Sequence, residues 1–312
     1  MTEHKPLHIA HLIWHFSTGG LENGVVNLIN HLPETDYAHS IITLTGHDTE
    51  FVNRISAINV NFYCLHKKPG HDWGTFSRLN SLLKQLQPDV LHSRNLATLE
   101  LQTVGWWRGI PLRLHGEHGW DANDVGGSNR KNRLIRRIFQ RFAQRFICLS
   151  AESEHYLKRH VRLKADKIVR ICNGVDIAKF SQTQRADLTA LGITTDQPCL
   201  LIGTVGRLAQ VKNQALLINA YALLYQQHGA LMQRYKLLLV GDGPCRQQLE
   251  QLAATLQLSA QIIFAGNRSD IAYVKGKAVV CSDDSLLASV SGSFAVGTLG
   301  PAFDTAVTKG AE

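Results

Sequence analysis

No run of about twenty apolar residues occurs in the 312-residue chain, so no stretch of it has the length of a membrane-spanning helix. No apolar run follows a basic start either, which speaks against a signal peptide. The six cysteines (Cys64, Cys148, Cys172, Cys199, Cys245, Cys281) form no CxxC pair and mostly sit inside apolar runs. They read as small buried hydrophobes in a reducing compartment, and the expected location is the cytoplasm. The GxGxxG of dinucleotide binding is missing from the glycine-bearing loop after the first apolar run, which argues against a dehydrogenase or nucleotide-sugar epimerase.

What is present is a soluble globular composition, with 44% hydrophobic and 19% charged residues. At this length one hydrophobic core stops growing, so two domains are expected. The net charge of +8 is uneven: residues 1–180 hold 23 Lys/Arg against 16 Asp/Glu, or +7, and the rest 10 against 9, or +1. Basicity in one half predicts an anionic partner there, whether a phosphorylated substrate, a membrane surface or nucleic acid.

Short apolar runs recur: His8–Trp14, Ser40–Thr45, Asn59–Leu65, Asp89–His92, Leu112–His118 and Phe146–Ser150, then Cys199–Val205, Lys236–Val240 and Gln261–Ala265. Between most of them apolar residues return at helical spacing, as at Leu79, Leu82, Leu83 and Leu86. Strand–helix alternation at this pitch predicts an α/β fold of βαβ units with parallel sheets. In such sheets ligands sit beyond the carboxyl ends of the strands, so the loops after the strands carry the chemistry. A turn at Asn173-Gly174 and a polar stretch from Gln182 to Gln197 place the domain boundary near residue 180.

Four loops stand out. Gly203–Lys212 (GTVGRLAQVK) stops a strand at Gly206 and places Arg207 and Lys212 just before a helical segment, a pattern suited to gripping phosphate. Gly19-Gly20 precedes another helical segment and offers free N–H groups to an anion; a plain tight turn is the alternative. His115-Gly116-Glu117-His118-Gly119-Trp120-Asp121 concentrates polar side chains at a strand end. A substrate-binding histidine and a purely structural one both fit it, while a His–x2–His metal pair lacks a third ligand. Gly266-Asn267 follows the strand Gln261–Ala265. Separately, Ser128–Arg145 carries Arg130, Lys131, Arg133, Arg136, Arg137, Arg141 and Arg145. It reads as a helix that buries an apolar stripe and displays arginines, either as a solvated outer face or against an anionic membrane. Nucleic acid is not expected, because no aromatic platform or nucleic-acid motif accompanies the charge.

Together, STGGLENGV, HGEHGWD, NGVDIAKF, VGRLAQVKN and LLLVGDGP followed by IIFAG, in that order over roughly residues 8–272, resemble the family 4 glycosyltransferases of the GT-B fold. Within that family the resemblance is to enzymes of bacterial exopolysaccharide assembly. It implies two Rossmann-like domains with parallel sheets: an acceptor domain over 1–180 and a partial, incomplete donor domain over 181–274, followed by a 275–312 tail without family resemblance. It further implies retaining transfer of a sugar from a nucleotide-sugar donor to a lipid-linked or growing saccharide acceptor, at the inner face of the membrane. By resemblance, Arg207 and Lys212 hold the donor diphosphate and stabilise its departure, which fixed cations do without a metal. No DxD occurs, so no metal and no other cofactor is expected. His118 matches the family's active-site histidine, Gly19 and Gly20 face the diphosphate and acceptor, and Gly266 and Asn267 meet the nucleobase. One element is missing: the family's E-x7-E on a donor-binding helix has no counterpart, since no glutamate lies between Glu250 and Glu312. A catalytically impaired remnant that at most binds ligand is therefore the alternative expectation.

Overall fold

The computed structural model describes residues 5–120, 124–174, 200–268 and 278–280. The chain divides into two compact units, Met1–Gly174 and Val175–Glu312. The expected linker, the Val175–Phe180 stretch before it and most of the 275–312 tail lie outside the described residues.

The first unit runs β1 (Leu7–Ile13), α1 (Gly20–His31), β2 (Tyr37–Thr43), α2 (Thr49–Val52), β3 (Val60–Cys64), α3 (Gly74–Leu86) and β4 (Val90–Arg94). It continues with α4 (Leu96–Leu99), α5 (Gln102–Trp107), β5 (Leu112–Glu117), α6 (Arg130–Phe139), β6 (Arg145–Cys148), α7 (Ala151–Tyr156) and β7 (Ile168–Arg170). All described strands lie parallel in one sheet of order β3-β2-β1-β4-β5-β6-β7. Each expected strand exists, with ends displaced by a few residues.

Both faces of this sheet are covered, as the nearly continuous apolar strands require. Alternate side chains point to opposite faces. Ala10, Leu12, Ile42 and Leu91 therefore pack against Leu79 and Leu83 of α3, while Ile13 and Ile41 pack against Val25, Val26 and Ile29 of α1. Strand order reverses between β1 and β4, and in doubly wound sheets such a reversal is where the flanking loops leave room for a ligand.

The second unit holds β8 (Leu200–Val205), α8 (Gln214–Gln227), α9 (Gly229–Met232), β9 (Tyr235–Val240), α10 (Arg246–Thr255), β10 (Ile262–Gly266) and β11 (Ala278–Val280). Its sheet is shorter: among the described residues four parallel strands, in the order β10-β9-β8-β11. Leu237 and Leu239 of β9 pack with Ile218 and Tyr221 of α8 and Leu249 and Ala253 of α10. The sequence predicts no strand beyond Ala265. β11 exists because its backbone pairs with Leu201–Gly203, a tertiary partner that no local pattern reveals. It also creates a second order reversal, between β8 and β11, beside the loop that carries Arg207.

Candidate active site

At the carboxyl edge of the first sheet, Gly19 lies in extended backbone (φ −167°, ψ 163°) and begins α1 without any side-chain cap. Its carbonyl instead accepts from the backbone N and the Nδ2 of Asn23, at 2.9 and 2.8 Å. The Glu22 carboxylate folds back over Gly19, into the space that a side chain there would fill. A side chain at this position would need the Glu22 carboxylate to swing away; the backbone conformation itself suits any residue. Gly20 is exposed and opens the helix.

Between these glycines and the end of β5 stands Arg94, the last residue of β4, with only 3% of its surface exposed. Its Nη1 donates to His11 Nδ1 on β1 and its Nη2 to His92 Nδ1 on β4, both at 3.1 Å. A guanidinium has no acceptor, so both imidazoles must receive at Nδ1, and each carries its proton on Nε2. His11 Nε2 then donates to His39 Nδ1 at 3.1 Å. Burial is the main cause that drives His11 and His92 well below the usual histidine range, with Arg94 next. Burial also pulls Arg94 down to about 9 against the field of Glu22, which leaves it a cation at neutral pH.

The two histidines of the HGEH stretch have different surroundings. His115 is fully buried; the Ser93 hydroxyl lies 2.8 Å from its Nδ1 and itself receives Gln102 Nε2 at 2.7 Å. That chain orients His115 Nε2 toward Glu117, 3.5 Å away. His118 is partly buried, with both ring nitrogens inside, and its ring lies over Gly116: a Cβ on Gly116 would stand 2.5 Å from His118 Nε2 and 3.3 Å from His92 Nε2. Neither ring nitrogen of His118 has a hydrogen-bond partner among the described residues. Burial first, then Arg94 and His115, pull His118 down to about 3 against Glu117. Its backbone N donates to Asn95 Oδ1 at 3.0 Å, while Asn95 N donates to Gly116 O at 2.8 Å. Asn95 holds φ 62°, ψ 163°, a conformation that costs a non-glycine residue roughly 1–3 kcal/mol. Among the described residues no group of three His, Cys, Asp or Glu converges as metal ligands; Asp121 lies outside them.

The basic segment differs from its expected form. α6 does not display all its arginines: Arg136 is buried and grips Glu117 bidentately, Nε to Oε1 at 2.7 Å and Nη2 to Oε2 at 3.0 Å. Against burial, which raises it, His115 and Arg136 hold the Glu117 carboxyl down to about 2. Two apolar residues are displaced outward in exchange, with Leu134 53% and Ile138 41% exposed. An apolar residue at position 136 would leave a buried carboxylate at the end of β5 without its charge partner, so the pair fixes the rotation of the helix.

In the second unit, β8 ends at Val205 and Gly206 turns the chain into exposed Arg207, buried Leu208 and a 3₁₀ turn over Gln210–Lys212. Asn213, left-handed at φ 46°, then starts α8. Gln214, buried at the first turn, donates from Nε2 to Arg207 O at 3.0 Å, which ties the cation-bearing turn to the helix. The loop after β9 lies directly behind it. Leu208 N donates to Asp242 O and Cys245 N to Leu208 O, each at 3.0 Å. Gly241 and Gly243 face Gly206 and Leu208 so closely that a Cβ on either would collide with backbone oxygen. Gly241 N also donates to Gly266 O at 2.8 Å, so Gly266 (φ 65°) and exposed Asn267 are joined to the same array. Arg207, Lys212, Gly266 and Asn267 thus gather at one edge of the second sheet, and Gly19, Gly20 and His118 at one edge of the first.

The sequence reading missed Arg94, Asn95 and His92. A signal existed: Ser93-Arg94-Asn95 follows the apolar Val90-Leu91 at the same strand-end position as the loops that were singled out.

The family model for Glycosyltransferase Family 4 matches residues 18–179, and that for Glycosyl transferases group 1 matches residues 190–299. The chain is 24% identical over 275 residues to a putative glycosyltransferase, EpsF, of Bacillus subtilis, covering 84% of this chain and 69% of the relative. It is 25% identical over 277 residues to an Escherichia coli UDP-Gal:alpha-D-GlcNAc-diphosphoundecaprenol alpha-1,3-galactosyltransferase, covering 86% and 70%. Among solved structures it resembles Anabaena HepE in complex with UDP and glucose, with a TM-score of 0.68 at 18% identity over 88% of this chain and 73% of that one. WaaG, a glycosyltransferase involved in lipopolysaccharide biosynthesis, gives 0.65 at 13% identity over 88% and 74%. These likenesses establish the GT-B type of fold.

Proposed function

The chain belongs to glycosyltransferase family 4, and from that premise we propose that it is a retaining transferase that moves a sugar from a nucleotide-sugar donor to a lipid-linked or growing saccharide acceptor in exopolysaccharide or other cell-surface glycan synthesis. The observation that carries this reading is the turn after β8. Arg207 and Lys212 both precede the start of α8 at the strand-order reversal of the second sheet, on a backbone array that leaves no room for side chains at Gly241 and Gly243. A leaving nucleoside diphosphate gains negative charge as the sugar departs, and cations fixed beforehand lower that barrier without reorganisation. Gly266 and Asn267 stand beside them for the nucleobase. In the first unit, Gly19 and Gly20 face the diphosphate and acceptor, and His118 offers a neutral imidazole to the sugar. The diphosphoundecaprenol named for the Escherichia coli relative supports a lipid-linked acceptor. Arg130, Lys131, Arg137, Arg141 and Arg145, exposed along α6 and beyond, support contact with an anionic membrane face. No metal is assigned to the site.

Titration calorimetry with UDP, GDP and ADP tests the grip. One of them should bind the wild-type chain, unaffected by EDTA, and the Arg207→Ala/Lys212→Ala double variant should lose that binding; unchanged affinity would sink the assignment. A second reading, a remnant that binds ligand without transferring, is favoured by one observation: residues 251–311 contain no glutamate to supply E-x7-E. Binding of a nucleoside diphosphate without donor turnover in the presence of membrane lipid acceptors would select it.

A further inference from the structure

We infer that Arg94 is a positioning residue for His118: a buried cation that grips His92 and keeps the neighbouring imidazole on its Gly116 shelf uncharged toward substrate. The inference rests on the reading of His118 as the residue that meets the transferred sugar, but the geometry that carries it is independent of any ligand. Among the described residues Arg94 has no carboxylate within ion-pair distance, and its hydrogen bonds go to His11, His92 and the His92 carbonyl. A buried guanidinium without an ion-pair partner is costly, and such groups persist where their field is used. Because its Nη2 fills His92 Nδ1, His92 Nε2–H is left pointing over Gly116, the glycine that also carries the His118 ring. His118 therefore has the His92 N–H beside it and, on the far side of His92, the Arg94 charge; with burial, both oppose a second proton on the ring.

Among the described residues, charged and titratable groups from several elements enter the balance around the ring. β1 supplies His11, with His39 of β2 behind it; β4 supplies His92 and Arg94; β5 supplies His115 and Glu117. α1 brings Glu22 toward Arg94, and α6 brings Arg136, which occupies Glu117. Among the described residues, the carboxylate that favours a charged His118, Glu117, is thus already held by a cation. The chemical consequence concerns the reacting sugar. Glycosyl transfer passes through an oxocarbenium-like state with positive charge at the anomeric carbon, and an imidazolium against that carbon would oppose it. A neutral imidazole can hydrogen-bond a sugar hydroxyl without that opposition. No proton or covalent step is assigned to Arg94.

The test is an NMR titration of the full chain labelled in its histidine rings, with the His118 signal identified by its loss in His118→Gln. In the wild type that signal should stay that of a neutral ring from pH 8 to pH 5. In Arg94→Met it should move upward by about one pH unit or more and inflect inside that range, and Arg94→Lys should return it toward the wild-type curve. A second variant leaves the cation in place: Gly116→Ala pushes the ring off its shelf, and His118 should then titrate near its ordinary value. A wild-type His118 that titrates near 6.5 would overturn the inference, as would a variant curve, in Arg94→Met or Gly116→Ala, that superimposes on the wild type. If Arg94→Met does not fold, Arg94→Gln, which keeps an N–H donor for His92 Nδ1 and removes the charge, decides in its place: a His118 curve that superimposes on the wild type overturns the inference. None of these measurements needs a donor, so failure here leaves the diphosphate grip standing, and loss of that grip leaves this result standing.

Discussion

Asn95 is the residue at which the site's geometry is most visibly held against local preference. Its backbone sits where only glycine is comfortable, and it is kept there by Gly116 O on one side and the His118 N–H on the other. The two halves of its role separate by substitution. Asn95→Gly relieves strain worth roughly 1–3 kcal/mol and forfeits a hydrogen bond worth about 1 kcal/mol. Asn95→Ala forfeits the same bond and keeps the strain. Urea unfolding should therefore rank glycine above alanine by roughly 1–3 kcal/mol, and equal stabilities would show that the conformation costs nothing. At this scale the sequence was half legible. Arg207 and Lys212 could be singled out as candidates because their signal is local: a glycine after an apolar run, then cations before a helix. Arg94 could not be valued, because its burial depends on His11, 83 residues away, lying beside it in the sheet.

Among the elements, the strands and their parallel pairing were legible, since runs such as KLLLV admit few other readings. α6 was legible as a helix and mistaken in its facing. Hydrophobic periodicity assigns Leu134 and Ile138 to the inside, but the Glu117 carboxylate at the end of β5 demands a cation, and one bidentate pair outweighs two aliphatic contacts in fixing the helix's rotation. The outward face that results mixes Leu134 and Ile138 with Arg130, Lys131 and Arg137, a composition suited to an anionic interface rather than to water alone. Exposed Trp106, edge-on to Phe142 at 5.5 Å, extends the apolar part of that surface. The chain should therefore sediment with vesicles that contain phosphatidylglycerol and not with phosphatidylcholine alone, and less so as salt is added. Each surface cation contributes about 1 kcal/mol, so replacing Arg130, Lys131 and Arg141 by alanine should weaken binding on the order of 100-fold. Arg136 is left in place because its loss would expose the Glu117 charge. Binding that ignores lipid charge would remove the helix from any membrane role.

For the whole molecule, the two units differ in how they should answer acid. Fourteen of the fifteen histidines precede residue 175, and the remaining one, His228, is exposed. His8, His11, His39, His92 and His118 are all held below the ordinary histidine value in the folded first unit, by burial before any other cause. Unfolding frees them to titrate near 6.5, so below that pH the unfolded chain binds protons that the folded one refuses. Stability from this source is complete above about pH 6.5 and lost progressively as the pH falls, at up to about 1.4 kcal/mol per pH unit for each histidine that remains neutral. Glu117, held at about 2, adds its own loss only in stronger acid, as the pH falls from the ordinary carboxylate value toward 2. Against a typical folding free energy of about 5–15 kcal/mol, a few such histidines suffice to unfold the first unit in mild acid. All five tryptophans (Trp14, Trp73, Trp106, Trp107, Trp120) lie in that unit, so tryptophan fluorescence reports on it alone. Its guanidinium midpoint should fall steeply between pH 7.5 and pH 5.5, while a second far-UV circular dichroism transition, from the second unit, should move little. A tryptophan midpoint that stays constant over that interval would mean that the buried imidazoles take up protons in the folded state, and the neutral wall around His118 would fall with it.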